Sequence, residues 1–221
     1  MYGIARSEQE LSKLKSKFGD RFFYVVGDVT DEKAIKQLVD DAIKGHGKID
    51  SIIANAGVLE PVQDVNNINT SAWRSLFEVN FFSIVSLVSS AIPYLIKSNG
   101  NLIFVSSGAS IKPYNGLGAY GSSKAALNHL AMTISDECPG VKSISVAPGV
   151  VDTQMQVDIR DRLGPNSMSP ETLKRFTDLK ANTQLLDSSV PAAVYTKLAL
   201  FGIPPELNGK YVRYNDERLS F

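Results

Sequence analysis

The sequence has little cysteine and no imbalance of charge, and both features restrict what the protein does. Cys138 is the sole cysteine, so no disulfide can form within the chain. Lys and Arg together number 23, as do Asp and Glu, and no long basic run builds a patch. We therefore expect no nucleic-acid partner. The first residues lack the charged and then apolar segments of a secretory leader, so we expect a cytoplasmic protein.

The sequence also lacks metal-ligand spacing and a pair of membrane-spanning runs. His46 and His129 have no neighbouring ligands at metal-binding spacing, and we predict no metal site. Residues 79–96 carry no charge over 18 positions, the lower limit for crossing a bilayer. This stretch nevertheless contains four serines and Pro93. We interpret residues 71–97 as a helix that is buried or faces another subunit, and we expect no membrane partner.

What the sequence does contain is a strict alternation of strand and helix patterns. Short apolar runs without polar alternation are typical of strands buried on both faces of a parallel sheet. With 221 residues and 43% hydrophobic content, residues 1–221 are long enough for one domain with a sizeable core. We predict an α/β fold, a doubly wound parallel sheet with helices on both faces. The predicted strands are 2–5, 21–29, 49–57, 101–107, 141–149 and 210–214. One predicted helix begins after Ser7, and the others cover 31–47, 71–97, 119–137, 170–181 and 191–201.

Small or polar residues follow the apolar part of each predicted strand. Because the carboxyl ends of parallel strands meet at one edge of the sheet, these residues would share a crevice, where ligands of such sheets bind. Ordinary turns use the same residue types, so each position also has a purely structural alternative. The residues are Arg6, Asp28, Asn55, Ala56, Gly57, Ser106, Ser107, Gly108, Pro148 and Gly149.

Tyr120 and Lys124 form the sharpest chemical pattern in the sequence. Residues four apart on a helix point the same way, so an ammonium group would lie close to the phenol and favour its ionised form. Ser107 closes a predicted strand thirteen residues upstream and would place its hydroxyl in the same crevice. Ser107, Tyr120 and Lys124 are therefore candidates for acid–base chemistry on a carbonyl oxygen.

Together these motifs resemble the short-chain dehydrogenase/reductase family. The resemblance runs from residue 1 to about 214 and rests on Asn55-Ala56-Gly57, Asn80, Ser107, Tyr120 with Lys124, and PGVVDT at 148–153. It implies a Rossmann-like fold. Within the family, residues 114–132 and 209–216 are most similar to a fungal benzil-reductase and sepiapterin-reductase branch.

The resemblance implies a catalytic role for Asn80, Ser107, Tyr120 and Lys124. Tyr120 would donate a proton to a ketone oxygen while a nicotinamide delivers hydride to the carbon. Lys124 would hold the nicotinamide ribose and lower the pKa of Tyr120, and Ser107 would orient and polarise the carbonyl. Asn80 would complete a water-linked proton relay. Its structural alternative is a buried amide that satisfies helix backbone.

The implied cofactor is NADP. Related NAD enzymes place an acid at the end of the second strand to bind the adenosine 2′-hydroxyl, whereas a guanidinium suits a 2′-phosphate. Here Ala5 occupies the acid position and Arg6 follows it. Thr153 and the Val151 backbone would meet the nicotinamide carboxamide. The full set of implied cofactor-binding residues is Arg6, Asp28, Asn55, Ala56, Gly57, Tyr120, Lys124, Pro148, Gly149, Val151 and Thr153.

One motif of the family is lacking from the sequence. Members begin with a strand, a glycine-rich turn and a helix that binds the cofactor pyrophosphate, and neither Gly45-x-Gly47 nor Gly116-x-Gly118 follows a first strand. We expect a first strand and helix, roughly 30 residues, to be missing, or the chain to work without a pyrophosphate site. Three hypotheses remain: an NADPH-dependent carbonyl reductase, a catalytically impaired binding or regulatory module, and a structural subunit that pairs with a complete homologue.

The remaining expectations concern the substrate and the partner. The segment 152–189 would build most of the substrate pocket, together with Tyr114, Asn115 and Asp216. The family branch implies a small-molecule carbonyl substrate such as an α-diketone or aromatic ketone. We also expect a homodimer that pairs through helices 71–97 and 119–137.

Overall fold

The computed structural model describes residues 1–219, and its elements follow the predicted alternation. The strands are β1 (Tyr2–Ala5), β2 (Phe23–Val26), β3 (Ser51–Ala54), β4 (Asn101–Val105), β5 (Lys142–Ala147) and β6 (Lys210–Arg213). The α-helices are α1 (Glu8–Phe18), α2 (Glu32–His46), α3 (Thr70–Phe77), α4 (Ser83–Ser98), α5 (Gly118–Glu137), α6 (Gln154–Val157), α7 (Pro170–Ala181) and α8 (Ser189–Phe201). The strands are shorter than predicted because their polar carboxyl ends leave the sheet.

The strands form two parallel sheets. One contains β1 and β2, and the other has the order β3-β4-β5-β6. Every pairing is parallel, with Ile4 opposite Val25 in the first sheet and Phe104 opposite Ser145 in the second. Within residues 1–219 no strand pairing joins the two sheets, so β1, β2 and β3 each have a single partner. The fold is therefore the predicted α/β Rossmann-like architecture, with its parallel strands divided between two sheets.

Helices cover both faces of the four-stranded sheet. Alternate residues of a strand point to opposite faces, and Leu102 and Phe104 pack with α4 and α5, while Ile103 between them packs with α8. All three of these side chains are fully buried. The helix α2 connects the two sheets, because Val39 of α2 belongs to the same apolar cluster as Ile84 of α4. This arrangement confirms the prediction of helices on both faces.

The predicted helix 71–97 is a longer and less regular element. It runs from Thr70 to Ser98 as α3, a π-helical turn at Glu78–Phe82, and α4. It is long and apolar enough to cross a membrane, with a mean hydropathy of 1.8 in its most apolar window, of which 28% is buried. The helix is thus not simply a buried core helix. The expectation that it faces another subunit stays a prediction.

Candidate active site

The catalytic candidate Ser107 stands directly after β4. It is the N-cap of a short 3₁₀ turn, Gly108–Ser110, and its Oγ accepts a hydrogen bond from the backbone N–H of Ala109 at 3.1 Å. The same hydroxyl lies close enough to the phenol of Tyr120 to lower the pKa of that group. Ser107 therefore reaches the tyrosine that the sequence pairs with it.

Tyr120 and Lys124 lie one turn apart near the beginning of α5, as predicted. The Nζ atom of Lys124 is 5.9 Å from the centroid of the Tyr120 ring and donates a hydrogen bond to the carbonyl of Val105 at 2.8 Å. The Lys124 side chain is almost fully buried, whereas Tyr120 is partly exposed. The bond to Val105 fixes the ammonium group at the carboxyl end of β4.

Burial is the largest cause of the pKa shifts of Tyr120 and Lys124. It raises the pKa of Tyr120 above its usual value, and the nearby Ser107 hydroxyl opposes that rise because it stabilises the phenolate. Burial lowers the pKa of Lys124 to about 8. The lowering of the tyrosine pKa that we expect of Lys124 thus comes, in these contacts, from Ser107.

Asn80 is completely buried in the π-helical turn. Its Oδ1 accepts from the backbone N–H of Val58 at 2.7 Å, and its Nδ2 donates to the carbonyl of Val58 at 2.8 Å and to Oγ of Ser123 at 3.1 Å. Ser123 in turn donates to the carbonyl of Tyr120 at 2.7 Å. The side chain is a buried amide, but the backbone groups that it satisfies belong to the loop after β3 and not to a helix; through Ser123 it ties that loop to α5. Its part in a proton relay stays a prediction.

The segment Asn55-Ala56-Gly57 follows β3 and passes beside the catalytic lysine. A Cβ added at Gly57 would lie 3.3 Å from Nζ of Lys124 and 3.4 Å from Oδ1 of Asn80. A side chain at this position would crowd both groups. Glycine therefore keeps the space next to the ammonium group open, which fits a ribose held there.

The segment from Pro148 to Thr153 leaves β5 and turns sharply. Gly149 has a φ of +81°, and an added Cβ would lie 2.8 Å from Leu186 and 2.9 Å from Tyr214, so only glycine fits. Val151 forms a bridge with Leu186, and the Thr153 hydroxyl donates to the Val151 carbonyl at 3.4 Å. Val151 and Thr153 thus lie together, and their contact with the nicotinamide carboxamide stays a prediction.

Arg6 and Asp28 lie at the carboxyl ends of β1 and β2. The Asp28 carboxylate accepts from the backbone N–H and the hydroxyl of Thr30 at 2.9 and 2.8 Å. These two bonds, and then the charge of Arg6, hold the pKa of Asp28 below its usual range. Arg6 is exposed and makes no ion pair within residues 1–219. The structure brings the two residues together and leaves the guanidinium available.

An apolar cluster packs against Tyr120 and includes residues that we did not predict for the pocket. The segment 152–189 contributes to it as expected, although most of this segment is helical. The loop after Gly57 supplies two further members, which carry no sequence signal beyond being apolar. The cluster consists of Leu59, Val62, Tyr114, Leu117, Tyr120, Met155, Ile159, Leu163, Met168, Leu173 and Phe176.

Polar contacts fix the edges of this apolar cluster. Arg162 pairs with Glu60 at 2.7 Å, which joins the segment 152–189 to the loop after β3. Oδ1 of Asn115 accepts from the backbone N–H of Ser169 at 2.6 Å, and Asp216 pairs with Arg218 at 2.7 Å. Their place in the substrate pocket stays a prediction. Two buried polar atoms of the segment, Gln156 Oε1 and Arg160 Nη1, have no hydrogen-bond partner among the described residues, and nothing in the sequence marks them.

Cavities and metal ligands add nothing to this site. A cavity of about 540 Å³ lies between α1, β2 and α2, and one of about 480 Å³ lies beside residues 109–118, but neither is lined by Ser107, Tyr120 or Lys124. In the part of the chain that the structure describes, no group of three His, Cys, Asp or Glu side chains is placed to hold a metal ion. The candidate site is an open crevice at the carboxyl ends of the strands.

The arrangement of Ser107, Tyr120 and Lys124 at this edge of a Rossmann-like sheet defines a class of oxidoreductase. Residues 1–164 match the family model described as short chain dehydrogenase. The chain belongs to the short-chain dehydrogenase family, whose members use a nicotinamide cofactor.

Particular relatives come from baker's yeast, Saccharomyces cerevisiae. The chain is 64% identical over 220 residues to an uncharacterized oxidoreductase, YIR035C, and covers 87% of that protein. A crystal structure of YIR035C matches with a TM-score of 0.98 over 99% of this chain and 87% of the other. The chain is also 55% identical over 230 residues to benzil reductase ((S)-benzoin forming) IRC24, again covering 87% of it. A structure described as a cytoplasmic protein with unknown function, 62% identical, matches with a TM-score of 0.82 over 99% of this chain and 86% of the other.

Proposed function

We propose that the protein is an NADPH-dependent carbonyl reductase. The observation that carries this proposal is the position of Tyr120, with the buried Lys124 one helical turn away on α5 and the Ser107 hydroxyl close enough to affect its pKa. A phenol with a raised pKa is a neutral proton donor at physiological pH, which reduction of a carbonyl requires. The cofactor supplies the hydride.

The side chains divide the remaining work. Ser107 donates a hydrogen bond to the carbonyl oxygen and so increases the positive character of its carbon. Tyr120 gives its proton to the same oxygen as negative charge develops there. Lys124 holds the ribose beside Gly57, where the missing side chain leaves room. The positive charge of Lys124 also favours the phenolate that remains after proton transfer.

The preference for NADPH rests on Arg6. Its exposed guanidinium lies close enough to Asp28 to affect the pKa of that carboxyl group, at the edge where the adenosine would lie. A guanidinium binds the 2′-phosphate of NADPH through two parallel hydrogen bonds. The free 2′-hydroxyl of NADH is bound better by a carboxylate.

We assign an apolar carbonyl compound as the substrate. The cluster beside Tyr120 is a packed apolar core, and its partly buried members Tyr114 and Met155 leave apolar surface next to Tyr120. An α-diketone with aromatic substituents would bury its rings there and present one carbonyl to Ser107. The name of the relative IRC24, benzil reductase, agrees with this substrate class.

We also propose a cytoplasmic homodimer that pairs through Thr70–Ser98 and α5. Both elements expose large apolar side chains, such as Phe82 and Val85 on the first and Met132 on the second. Covering these side chains with a second copy removes apolar surface from water. The cytoplasmic location is supported by the description of the yeast relative of known structure.

A catalytically impaired binding module is the second candidate. In the described residues, Gly47 ends α2 with a φ of +74° and Gly116 lies in a turn that packs against Val62 and Met168, so neither forms a phosphate-binding turn after a strand. A module of this kind would hold a nucleotide or an apolar carbonyl compound without turning it over.

A titration with two readouts separates these functions. Nicotinamide fluorescence measures NADPH binding by the purified chain, and the loss of NADPH absorbance after addition of benzil measures turnover. The reductase is supported if the unaltered chain both binds NADPH and reduces benzil, and if Ser107→Ala lowers the turnover but not the binding. Binding of NADPH with no turnover of any diketone would support the module. Turnover would also mean that another loop serves the pyrophosphate.

A further inference from the structure

Asn128 is a polar residue on α5 that the mechanism above does not use. We propose that Asn128 is a positioning residue, which clamps the two flanks of Ser107 and holds that serine at a fixed distance from Tyr120. This inference rests on the proposed carbonyl reduction and adds a residue that does not touch substrate, cofactor or reacting atoms.

The side-chain amide of Asn128 bridges the residues on either side of Ser107. Its Oδ1 accepts a hydrogen bond from Oγ of Ser106 at 2.7 Å, and its Nδ2 donates to Oγ of Ser110 at 2.8 Å. Ser110 then donates through its hydroxyl to the carbonyl oxygen of Ser107 at 2.6 Å. A continuous chain of hydrogen bonds thus runs from Ser106 through Asn128 to the backbone of the catalytic serine.

The direction of this chain follows from the number of protons. Each serine hydroxyl has one proton to donate. Ser110 uses its proton on the Ser107 carbonyl, so its oxygen must accept from Asn128. Ser106 lies 3.3 Å from Ser110 but only 2.7 Å from Oδ1 of Asn128, so its proton goes to the amide. Only a side chain that both accepts and donates can occupy the centre, and an amide does so without a charge.

The position of Asn128 on α5 makes the clamp relevant to catalysis. It lies four residues after Lys124 and eight after Tyr120, so the three side chains are on one face of the helix. The helix that carries the proton donor therefore also holds the turn that carries Ser107. A shift of α5 therefore moves Tyr120 and Ser107 together, and their separation is preserved.

The first test measures kinetics in variants of this chain. Asn128→Ala should lower kcat about 10-fold, the loss expected for one hydrogen bond that positions a reacting group, while the KM for benzil and the affinity for NADPH stay unchanged. Ser110→Ala should have a similar effect, and the double variant should lose no more than either single one. Ser110→Thr keeps the hydroxyl and should restore most of the rate. His129→Ala, at the exposed next position, is the control.

The pH profile supplies a readout that a loss of stability would not move. A displaced Ser107 no longer stabilises the Tyr120 phenolate, so the rate of alcohol oxidation should require a higher pH in Asn128→Ala than in the unaltered chain. The proposal would be overturned if the pH profile of Asn128→Ala were unchanged and if a loss of folded protein, seen as a lowered melting temperature, accounted for the whole fall in kcat.

Hydrogen exchange tests the clamp without any activity. The backbone N–H groups of Ala109 and Ser110 bond to Ser107, through Oγ at 3.1 Å and the carbonyl at 3.1 Å. In Asn128→Ala both amides should exchange about 5-fold faster, because the turn opens more often once a bond worth about 1 kcal/mol is lost. His129→Ala should leave them unchanged. Equal exchange in all three proteins contradicts the clamp, whereas an absence of carbonyl reduction in the unaltered chain contradicts the proposed function instead.

Discussion

The two sheets of this molecule differ in how deeply their side chains are buried. In the four-stranded sheet, Leu102, Ile103 and Phe104 of β4 are all 0% exposed, because helices cover both faces. In the two-stranded sheet, Phe23 and Val26 of β2 are 36% and 46% exposed. The centre of the first sheet is the interior of the molecule, although its edge strand β3 still exposes Ile53 at 42%, and the second sheet is a small layer that α2 attaches to it.

This difference divides the candidate site into two halves. Ser107, Tyr120 and Lys124 depend on the four-stranded sheet and the long helix α5, where hydrogen bonds and packing fix each group. Arg6 and Asp28 depend on the two-stranded sheet, where the guanidinium is exposed. Reaction chemistry needs exact geometry, and selection between cofactors needs only a charge nearby. We therefore expect substitutions in the first half to have larger effects.

The largest expected effect is on turnover. Tyr120→Phe removes the proton donor and should lower kcat by roughly 10²- to 10⁴-fold, with little change in NADPH affinity. Tyr24→Phe makes the same change on β2 of the two-stranded sheet and should leave kcat unaltered. Steady-state reduction of benzil by both variants is the measurement. A Tyr120→Phe protein that keeps a third of the activity would remove this residue from the mechanism.

The next effect concerns stability and compares two phenylalanines. Phe104→Ala empties a fully buried position and should lower the free energy of unfolding by about 3–5 kcal/mol. Phe23→Ala leaves a partly exposed position, where the stacking of the ring on Tyr2 is lost, and should cost only about 1 kcal/mol. Urea denaturation of both proteins measures the difference. Equal losses would mean that the two sheets contribute alike to the fold.

A third prediction concerns the pH dependence of stability. The pKa of Lys124 is about 8 in the folded protein, below its ordinary value of 10.5. Between those two pH values the unfolded chain binds more protons, so stability rises with pH, and below about pH 8 the full cost of burying the ammonium group is present. Lys124→Met should therefore be more stable than the unaltered chain at pH 7, by up to about 3 kcal/mol, and the difference should shrink towards pH 10.

The control for this prediction is an exposed lysine. Lys197→Met lies on α8, and its side chain makes no ion pair among residues 1–219. Its free energy of unfolding should differ from that of the unaltered chain by the same small amount at every pH. A constant difference for Lys124→Met as well would show that Lys124 is not the group that titrates near pH 8.

The fold could be predicted from the sequence because periodicity reports burial. Apolar runs without alternation gave strands covered on both faces, and the predicted helix 170–181 has the bounds Pro170–Ala181 in the structure. The π-helical turn at Glu78–Phe82 had no such signal. It depends on the hydrogen bonds of Asn80 to Val58, a contact between residues 22 positions apart, and a local pattern does not contain it.

The site was predictable to a similar degree and for a similar reason. Tyr120 and Lys124 share a helix face, so their spacing alone brings them together. Tertiary packing determines the bond of Lys124 to Val105, the clamp on Ser107 and the membership of Leu59 in the apolar cluster. The sequence also does not contain the bond of Asn115 to the backbone N–H of Ser169, because a loop asparagine satisfies whichever backbone group the fold brings near it.

The smallest expected effect concerns Arg6, in the half of the site that depends on the two-stranded sheet. Arg6→Asp replaces a charge that attracts a 2′-phosphate by one that repels it, so the Kd for NADPH should rise about 10-fold or more while that for NADH stays the same or falls. Arg21→Asp makes the same change at the other end of the two-stranded sheet and should alter neither Kd. Added salt should weaken NADPH binding to the unaltered chain more than to Arg6→Asp, because screening acts on an exposed charge pair. An unchanged ratio of the two dissociation constants would mean that Arg6 does not meet the 2′-phosphate, and that cofactor selection depends on the four-stranded sheet as the chemistry does.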